Sequence, residues 1–480
     1  MSLFQKFMGW IAPKQTLEKK LNVQVATSAV MDEAISLWID MYKDEPPWLG
    51  GEDDIKTMNL PAAISEEMAR LILTEFSCEL DGSERAKFLN DCMTNLLRQM
   101  SKTVEIWCAG GGIALKPYVS GADEAGKPTG ISIDIVYANR FYPTAFDSNG
   151  EVTGAIFVDT KRIGDYQYTR LEHHNLDGGK YTVRNMAFRS EKLYSVYSED
   201  EQLSCQNPFS EEVPLEAVPE WAGLAPITEL QGVERPFFVY VKVPKANNVD
   251  PHSPLGASAY SRAVDMIQQA DIQFSRILWE YQATEASVFA DESVFDTDSR
   301  GRPILPKGRE RQFRTFEFEG TDAAGMLKEY GPAIRDDSLF NGLNQILRRI
   351  ELQCGLAYGT ISEVSDVAKT ATEVKASKQR SYTTIHAMQQ AWNRGFDELI
   401  SVMDTLCSLY QIVPAGAIEP TVTWGDGILE DTEVEYQRRW SMVMAGKLKV
   451  EKFFAWYFGC TEEEAKDYIP DGGTVYPPEE

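Results

Sequence analysis

The strongest constraint on the fold is a long helical pattern in the last third of the chain. Thr370-Ala-Thr-Glu373 is a Ser/Thr-x-x-Glu capping box, which predicts a helix start because its two side chains satisfy free backbone donors. The helix predicted over 371–412 is longer than most core helices, and this favours a coiled coil, a helical array or an assembly element. Its second half carries residues spaced alternately three and four, namely Ile385, Met388, Trp392, Gly395, Leu399, Val402, Leu406 and Leu409.

Length and composition narrow the possible classes of protein. A chain of 480 residues is too long for one compact core and predicts about two to four regions. It contains no apolar run of about 18 residues, so no membrane span is expected. Its seven cysteines are scattered and form no CxxC pair, which predicts reduced thiols in a cytosolic setting. No cofactor is expected.

The formal net charge of −26 limits any role with nucleic acid. The affinity of proteins for nucleic acid comes mainly from Lys and Arg side chains that meet phosphates. A conventional DNA-binding surface over the whole chain is therefore excluded. The acidic surface either avoids DNA, lets DNA slide past without sticking, or serves only to keep the protein soluble.

Motifs of enzyme chemistry are weak, and the chain is predicted not to be an enzyme. His173 and His174 follow one another in a predicted strand without an HExxH motif, which favours an exposed strand pair over a zinc site. Gly110-Gly111-Gly112 lies between two strand-like segments and lacks the lysine of a phosphate-binding loop, which favours a hairpin turn. No GxSxG motif occurs, and no catalytic or metal-binding residue is nominated.

The first half of the chain has the pattern of an α+β fold. Helical periodicity covers 28–42, 61–77 and 84–101, and a period of two follows. Because strands come in a run rather than alternating with helices, a parallel βαβ array is not expected. Residues 198–235 are rich in Pro and Glu and predict a surface excursion. The strand candidates are 104–108, 113–119, 131–137, 153–160, 166–174, 181–188 and 236–243.

Two further helices flank a short β segment. The first is predicted to start with Ser258 as N-cap and to run to about Ala286. Residues 287–331 follow as strand and turn, including 288–289 and 313–318. The second helix begins at Asp336-Asp337-Ser338, whose carboxylates suit a helix N-terminus, and ends near Gly355. Such a pair is expected to be antiparallel and to project a tip.

The connection between these helices holds the most basic stretch of an acidic protein. It is predicted to be either a solvated hairpin or a contact site for DNA or an acidic partner. Its cations are Arg300, Arg302, Lys307, Arg309, Arg311 and Arg314.

Several segments, in order along the chain, are similar to the portal family of tailed phages of Gram-positive hosts. Tyr168 to His174 and Tyr181 to Asn185 resemble paired wing strands of that family. Asn247-Asn248 followed by Ser253-Pro-Leu-Gly-Ala-Ser258 resembles the junction into its stem helix. Lys369-Thr-Ala-Thr-Glu-Val374 resembles the start of its long helix, and Gly425-Asp-Gly-Ile428 with Thr461-Glu-Glu-Glu-Ala465 resembles its crown region.

The resemblance implies a portal fold with an α/β wing, a helical stem, a small β-containing clip, a long kinked helix and a helical crown. The implied divisions are a wing at 1–256, a first stem helix at 257–286, a clip at 287–333, a second stem helix at 334–356, a tunnel loop at 357–370, a long wing helix at 371–412 and a crown region at 413–480.

The resemblance also implies a function. The chain would form a homo-oligomeric ring, usually a dodecamer, at one capsid vertex of the virion, after synthesis in the host cytoplasm. The ring would be a channel for DNA packaging and ejection, and double-stranded DNA would pass without sequence specificity. The implied partners are terminase, a head–tail adaptor, and the major capsid and scaffolding proteins. A cytosolic α+β hydrolase and a capsid-associated scaffold without a channel remain as alternatives.

Four sets of residues are nominated on this basis. The tunnel loop is expected to move freely into the bore, because Gly, Ser and Asp residues join two packed helices; its members are Gly359, Ser362, Glu363, Val364, Ser365, Asp366 and Lys369. Channel contacts to DNA are assigned to Arg348, Arg349 and Lys369. The six cations named above are assigned to binding a partner at the clip. Packing between subunits or elements is assigned to Leu343, Ile346, Ile350 and Trp392.

Overall fold

The fold is α+β, as predicted. By its internal contacts the chain divides into two units, Met1–Trp424 and Gly425–Glu480. The computed structural model describes residues 14, 16–49, 54–121, 126–191, 209–284, 287–291, 295–297, 300, 302–305, 313–316, 327–331, 333–363, 371–425, 432–458, 461 and 465–466.

Four helices lie near the start of the first unit, and the first three are close to the positions that the apolar period predicts. They are α1 (Ala29–Tyr42), α2 (Leu60–Ile72), α3 (Glu84–Arg98) and α4 (Met100–Gly110). Ser28 and Ser83 cap α1 and α3, since each hydroxyl oxygen accepts a hydrogen bond from the backbone N–H three residues later. Helix α2 is shorter than predicted and ends at Ile72.

Residues 104–108 lie in α4, so the strand predicted there is wrong. The buried residues Thr103, Val104, Trp107 and Cys108 repeat at intervals of three and four, which is the helical period. The strand was predicted because β-branched and aromatic residues favour strands, but the helical spacing of the buried residues decides the structure. Gly111, with φ +82°, ends α4 in the left-handed conformation that favours glycine. The glycine triplet therefore connects a helix to a strand, and the hairpin turn predicted there is also wrong.

In the described part of the chain, the strands form four small or medium sheets. A two-stranded sheet pairs β1 with β14, and a three-stranded sheet has the order β10-β2-β3. The largest sheet has the order β4-β5-β6-β7-β8, with β9 also on β7, and its pairs are antiparallel. A second three-stranded sheet has the order β12-β11-β13. The strands are β1 (Ser77–Asp81), β2 (Gly112–Ser120), β3 (Gly130–Tyr137), β4 (Phe141–Phe146), β5 (Val152–Ile163), β6 (Tyr166–Asp177), β7 (Lys180–Glu191), β8 (Glu211–Val213), β9 (Ile227–Gln231), β10 (Val239–Lys242), β11 (Ser287–Asp291), β12 (Phe313–Phe316), β13 (Leu327–Tyr330) and β14 (Glu419–Thr423).

The largest sheet is covered on both faces. Ile156 packs into a small cluster with Leu171 and Phe188, whereas its neighbour Phe157 packs into the main core. Strand alternation sends these neighbours to opposite faces. The described part of 198–235 is also packed, because β8 and β9 pair with β7 and Trp221 is buried. Most residues from 209 to 231 are nevertheless exposed, so this segment lies on the surface as predicted, and Trp221 with the strand pairs anchors it there.

Three long helices follow, and they are α5 (Val264–Ala283), α6 (Asp336–Cys354) and α7 (Ala371–Tyr410). Ser258 is not the cap of α5, because a 3-10 turn intervenes and the buried Ser258 hydroxyl donates to Cys108 O, 3.3 Å away. Helix α6 starts after Arg335, and the two predicted aspartates lie in its first turn. Gly355, with φ +83°, ends α6 as predicted.

The second half of α7 is a core helix of the first unit. Trp392, Phe396 and Leu399 are fully buried. A Cβ on Gly395 would lie 2.6 Å from Val241 Cγ2, so glycine is required for β10 to approach. From Ile385 to Leu406 this stripe packs against sheet and helices of the same chain, which is the environment of a core helix rather than a coiled coil, and its role in assembly stays a prediction. The capping threonine Thr370 lies outside the described residues.

The C-terminal region begins later than the predicted division at residue 413. Strand β14 pairs with β1 and belongs to the first unit. The second unit contains α8 (Thr432–Met444) and α9 (Val450–Phe458). The buried Phe453 ring lies 5.3 Å from both Tyr436 and Trp440, centroid to centroid, so aromatic contacts hold the two helices together.

Candidate functional site at the helical hairpin

Helices α5 and α6 pack side by side in opposite directions. Before α6, the Arg335 guanidinium donates to both carboxylate oxygens of Glu280 near the end of α5, at 2.9 and 2.8 Å. Earlier in α5, Gln273 Nε2 donates to Leu339 O, 3.4 Å away. A later residue of α5 thus contacts an earlier residue on the α6 side, so the two helices are antiparallel, as predicted. We call α5, α6 and the chain between them the hairpin.

A three-stranded sheet lies between the two helices in the sequence. Its central strand, β11, is parallel to β12 and antiparallel to β13. The strands predicted at 288–289 and 313–318 are confirmed for 288–289 and 313–316. Of the predicted basic residues, Arg300 and Arg302 are exposed and Arg314 lies in β12. Lys307, Arg309 and Arg311 lie outside the described residues.

The loop that follows α6 is held by one buried carboxylate. Glu351 is fully buried. Its Oε1 accepts hydrogen bonds from the backbone N–H groups of Gly359, Ile361 and Ser362, at 3.1, 2.8 and 2.9 Å. Its Oε2 accepts a fourth from the Ser362 hydroxyl at 2.9 Å. A charged acceptor with four donors is the arrangement that makes burial of a carboxylate tolerable. We call residues 355–363 the base loop.

A second set of contacts joins the end of the base loop to α6. The Glu363 backbone N–H donates to Asn344 Oδ1 at 2.9 Å, and Asn344 Nδ2 donates back to Glu363 O at 3.3 Å. The Arg348 guanidinium also donates to Glu363 O at 3.4 Å. The free movement predicted for the tunnel loop is therefore wrong for residues 359–363. Of the other nominated loop residues, Val364, Ser365, Asp366 and Lys369 lie outside the described residues.

The two arginines nominated for DNA contact have different surroundings. Arg348 is half-buried and supports the base loop, whereas Arg349 is exposed on α6. Arg348 thus has a structural role in the chain, and Arg349 is the one whose side chain faces solvent.

The residues nominated for subunit packing lie in the core of a single chain. Leu343, Ile350 and Trp392 are buried, and Ile346 is half-buried against the same core. A buried side chain has little surface left for a neighbouring subunit. These residues therefore pack elements within the chain, which is one of the two roles assigned to them.

A buried charge network joins the two main sheets. Lys116 on β2 pairs with Glu172 on β6 at 2.5 Å, and Arg170 pairs with the same carboxylate at 3.1 Å. His174 Nε2 contacts Glu172 Oε1 at 2.9 Å, and its Nδ1 contacts the Tyr181 hydroxyl. Burial alone would raise the pKa of Glu172, but the charge of Lys116, with His174 and Arg170, holds it well below its usual value.

The histidine pair expected on an exposed strand is buried. Burial, with His174 and Arg184 nearby, lowers the pKa of His173 to about 4. His173 Nε2 contacts Thr144 Oγ1, 3.2 Å away. Burial also lowers the pKa of His174, against the effect of the hydrogen bond to Glu172. The His173 imidazole is therefore neutral at pH 7.

Glu351 and Glu172 were missed at the sequence level. Glu351 had a visible signal, because it continues the apolar stripe of α6 at Leu343, Leu347 and Ile350 and is followed by Cys354. A lone acidic residue on such a stripe predicts a buried carboxylate with dedicated donors. Glu172 had a weaker signal, because Arg170 and His174 flank it at a spacing of two on β6 but Lys116 comes from a different sheet.

The comparisons with known proteins identify no relative. A scan against models of protein families gives no match, and a search of curated proteins finds none. Within the described ranges, no three His, Cys, Asp or Glu side chains group as a metal site. In that same part of the chain, no helix is long and apolar enough to cross a membrane.

Proposed function

We propose that the protein is a portal subunit of a tailed phage, which assembles into a ring that DNA crosses during packaging and ejection. The observation that carries the proposal is the hairpin. Two antiparallel helices of 20 and 19 residues enclose, in sequence, a small three-stranded sheet. This is the order of stem, clip and stem that the resemblance to the portal family implies.

The base loop and α7 follow the hairpin in the sequence, as the tunnel loop and long helix follow the stem in the order that the resemblance implies. The loop leaves the end of α6, is tied to it by Glu351, and is followed by a helix of 40 residues that enters the core. In the proposed ring, the hairpin and base loop surround the bore, and the segment after Glu363 reaches toward DNA. Because the base loop is fixed to α6, residues 359–363 of the predicted tunnel loop would be a rigid support beside the bore.

The charge of the chain suits passage of DNA rather than its capture. A net charge of −26 disfavours tight phosphate contact, since each phosphate neutralised by a cation adds affinity. Exposed Arg349, and Lys369 further along the chain, would supply weak and reversible contacts. In this proposal terminase and the head–tail adaptor bind the clip, and the capsid and scaffolding proteins surround the wing.

Imaging of the purified full-length chain tests the proposal. Negative-stain micrographs and light scattering should give a ring-shaped oligomer with a central hole. A monomer, in which no ring forms at any concentration, would favour the hydrolase alternative. A closed oligomer without a hole would favour the capsid-associated scaffold. Either result contradicts the portal assignment.

A further inference from the structure

Among the residues that the structure describes, none covers an apolar patch on α5. Trp279 on α5 is 64% exposed, and Leu278 beside it is also exposed. With Ile272 they line a groove of about 430 Å³ between α5 and residues 54–56. Surface aromatic residues that cluster beside a groove mark interaction sites more often than isolated ones do. The groove lies on the side of α5 that faces away from α6, because its lining residues Ser275 and Gln282 are each about half a helical turn from Gln273 and Glu280, which contact the α6 side.

The groove is preformed. Asp271 on α5 accepts hydrogen bonds from Trp48 Nε1 and the Met58 backbone N–H, both at 2.9 Å. The Ser275 hydroxyl accepts another from the Lys56 backbone N–H at 2.8 Å. These bonds hold the far wall of the groove against α5. A partner would therefore bind without the cost of ordering that wall.

The partner helix of the hairpin presents a ridge that complements this groove. Phe340 on α6 is 42% exposed, and Asp337 one turn earlier is exposed as well. The rim of the groove carries the cations Arg276 and Lys56 and one acidic residue, Asp54, which pairs with Lys56 at 2.7 Å. An aromatic residue next to a carboxylate thus matches an aromatic groove with a cationic rim.

We propose that the groove on α5 receives the Phe340 ridge of a second copy of this chain, with Asp337 of that copy beside Arg276. Heights along the hairpin fit this arrangement. Gln273 contacts Leu339 and Glu280 contacts Arg335 within one chain, so ridge and groove lie at the same level. A rotation about an axis parallel to the hairpin does not shift a copy along that axis. The ridge of a neighbouring copy related by this rotation therefore lies at the same level as the groove.

The contact is heterologous, since groove and ridge are different surfaces. Repeating such a contact closes a ring when the rotation is a whole fraction of a turn. The inference rests on the proposed function, because it assigns the surface by which the ring subunits meet. It also replaces the buried residues nominated from sequence with exposed ones.

Two single variants and their mixture test the contact. Trp279→Ser removes the groove floor and Phe340→Ser removes the ridge. Each should raise the concentration at which rings form by at least about tenfold, as expected for an aromatic residue at the centre of an interface. At a concentration where neither variant assembles, their mixture should form a heterodimer through the one intact groove and the one intact ridge, and no ring. Sedimentation velocity measures both effects.

Several results would overturn the inference. Rings of either variant at the wild-type concentration would do so, and so would a mixture that stays monomeric. Dimers of Phe340→Ser alone would show that groove meets groove. Leu352→Ser is the matched control, because Leu352 is 45% exposed at the other end of α6. An equal loss of rings in that control would show that any apolar residue of the hairpin matters equally, and the assignment would fail.

A charge swap adds a second readout. Arg276→Asp and Asp337→Arg should each weaken assembly, and the double variant should recover it if the two side chains pair between copies. No recovery would contradict the proposed register.

Imaging of the wild-type chain distinguishes failure of the proposed function from failure of this interface. If the wild-type chain forms no rings, both the proposed function and this interface are contradicted. Rings that persist in all variants remove the interface alone. Unchanged thermal melting confirms that the exposed substitutions leave the fold intact.

Discussion

The Glu351 carboxylate accepts two hydrogen bonds from Ser362, one from its backbone N–H and one from its hydroxyl, both at 2.9 Å. Through this pair the last full turn of α6 determines the path of the chain eleven residues later. A loop that contains two glycines, Gly355 and Gly359, would otherwise sample many conformations. The pair thus fixes the base loop against the end of α6.

Removing the Glu351 carboxylate should release the base loop. Glu351→Ala leaves three backbone N–H groups and one hydroxyl without an acceptor, at a cost of about 3 kcal/mol in the free energy of unfolding. Glu351→Gln should cost much less, because its amide oxygen can still accept from the three N–H groups. Hydrogen exchange at residues 359, 361 and 362 should quicken in the alanine variant. Glu363→Ala is the control, since the Glu363 contacts to α6 use its backbone. Unchanged exchange in Glu351→Ala would contradict the prediction.

Trp392→Ala should destabilise the fold of the single chain. Trp392 is fully buried, and its ring lies 5.5 Å from that of Trp107. Truncation leaves a large cavity and should cost roughly 3–5 kcal/mol in chemical denaturation. Leu409→Ala on the same helix is the control, because Leu409 is 45% exposed and should change stability little. Equal stability of the two variants would show that Trp392 is not a core residue.

The stability of the first unit should fall on acidification. His173 has a pKa lowered to about 4 when folded, against 6.5 when unfolded. Its contribution is complete above pH 6.5 and is lost as the pH falls toward 4, by up to about 1.4 kcal/mol per pH unit. Glu172, with its lowered pKa, acts in the same direction at lower pH, because protonating it removes its ion pairs.

Urea unfolding from pH 7.5 to pH 4 measures this loss. His173→Gln should give a flatter dependence on pH than the wild type, since the unfolded chain then has one fewer proton to bind. His386→Gln is the matched control, because His386 is exposed on α7. A wild-type stability that stays level from pH 7 to pH 5 would mean that His173 is not buried as a neutral ring.

The sequence predicted the elements better than their environments. Trp38 and Ile64 lie on clean helical stripes, and their burial followed from spacing. The helix at 104–108 was mistaken for a strand, because Val104 and Trp107 favour strands by residue type although they lie at helical spacing. The burial of His173 depends on contacts from other elements, and no local pattern encodes that. Glu351 lies between these cases, since spacing predicts its burial but not which backbone donors surround it.

Reversing charge in the basic run should weaken binding at the clip. In the proposed portal, the residues from Arg300 to Arg314 meet terminase or the head–tail adaptor, with contact to DNA as the lesser option. Arg309→Glu with Arg311→Glu should therefore lower the affinity for at least one of these partners, and raising the salt concentration should lower the wild-type affinity in the same way. Arg349→Glu on α6 is the control, because it changes a cation outside this run. Biolayer interferometry with purified partners gives the affinities, and imaging confirms that rings persist. Wild-type affinity for both partners in the double variant would reduce the run to a solvated hairpin.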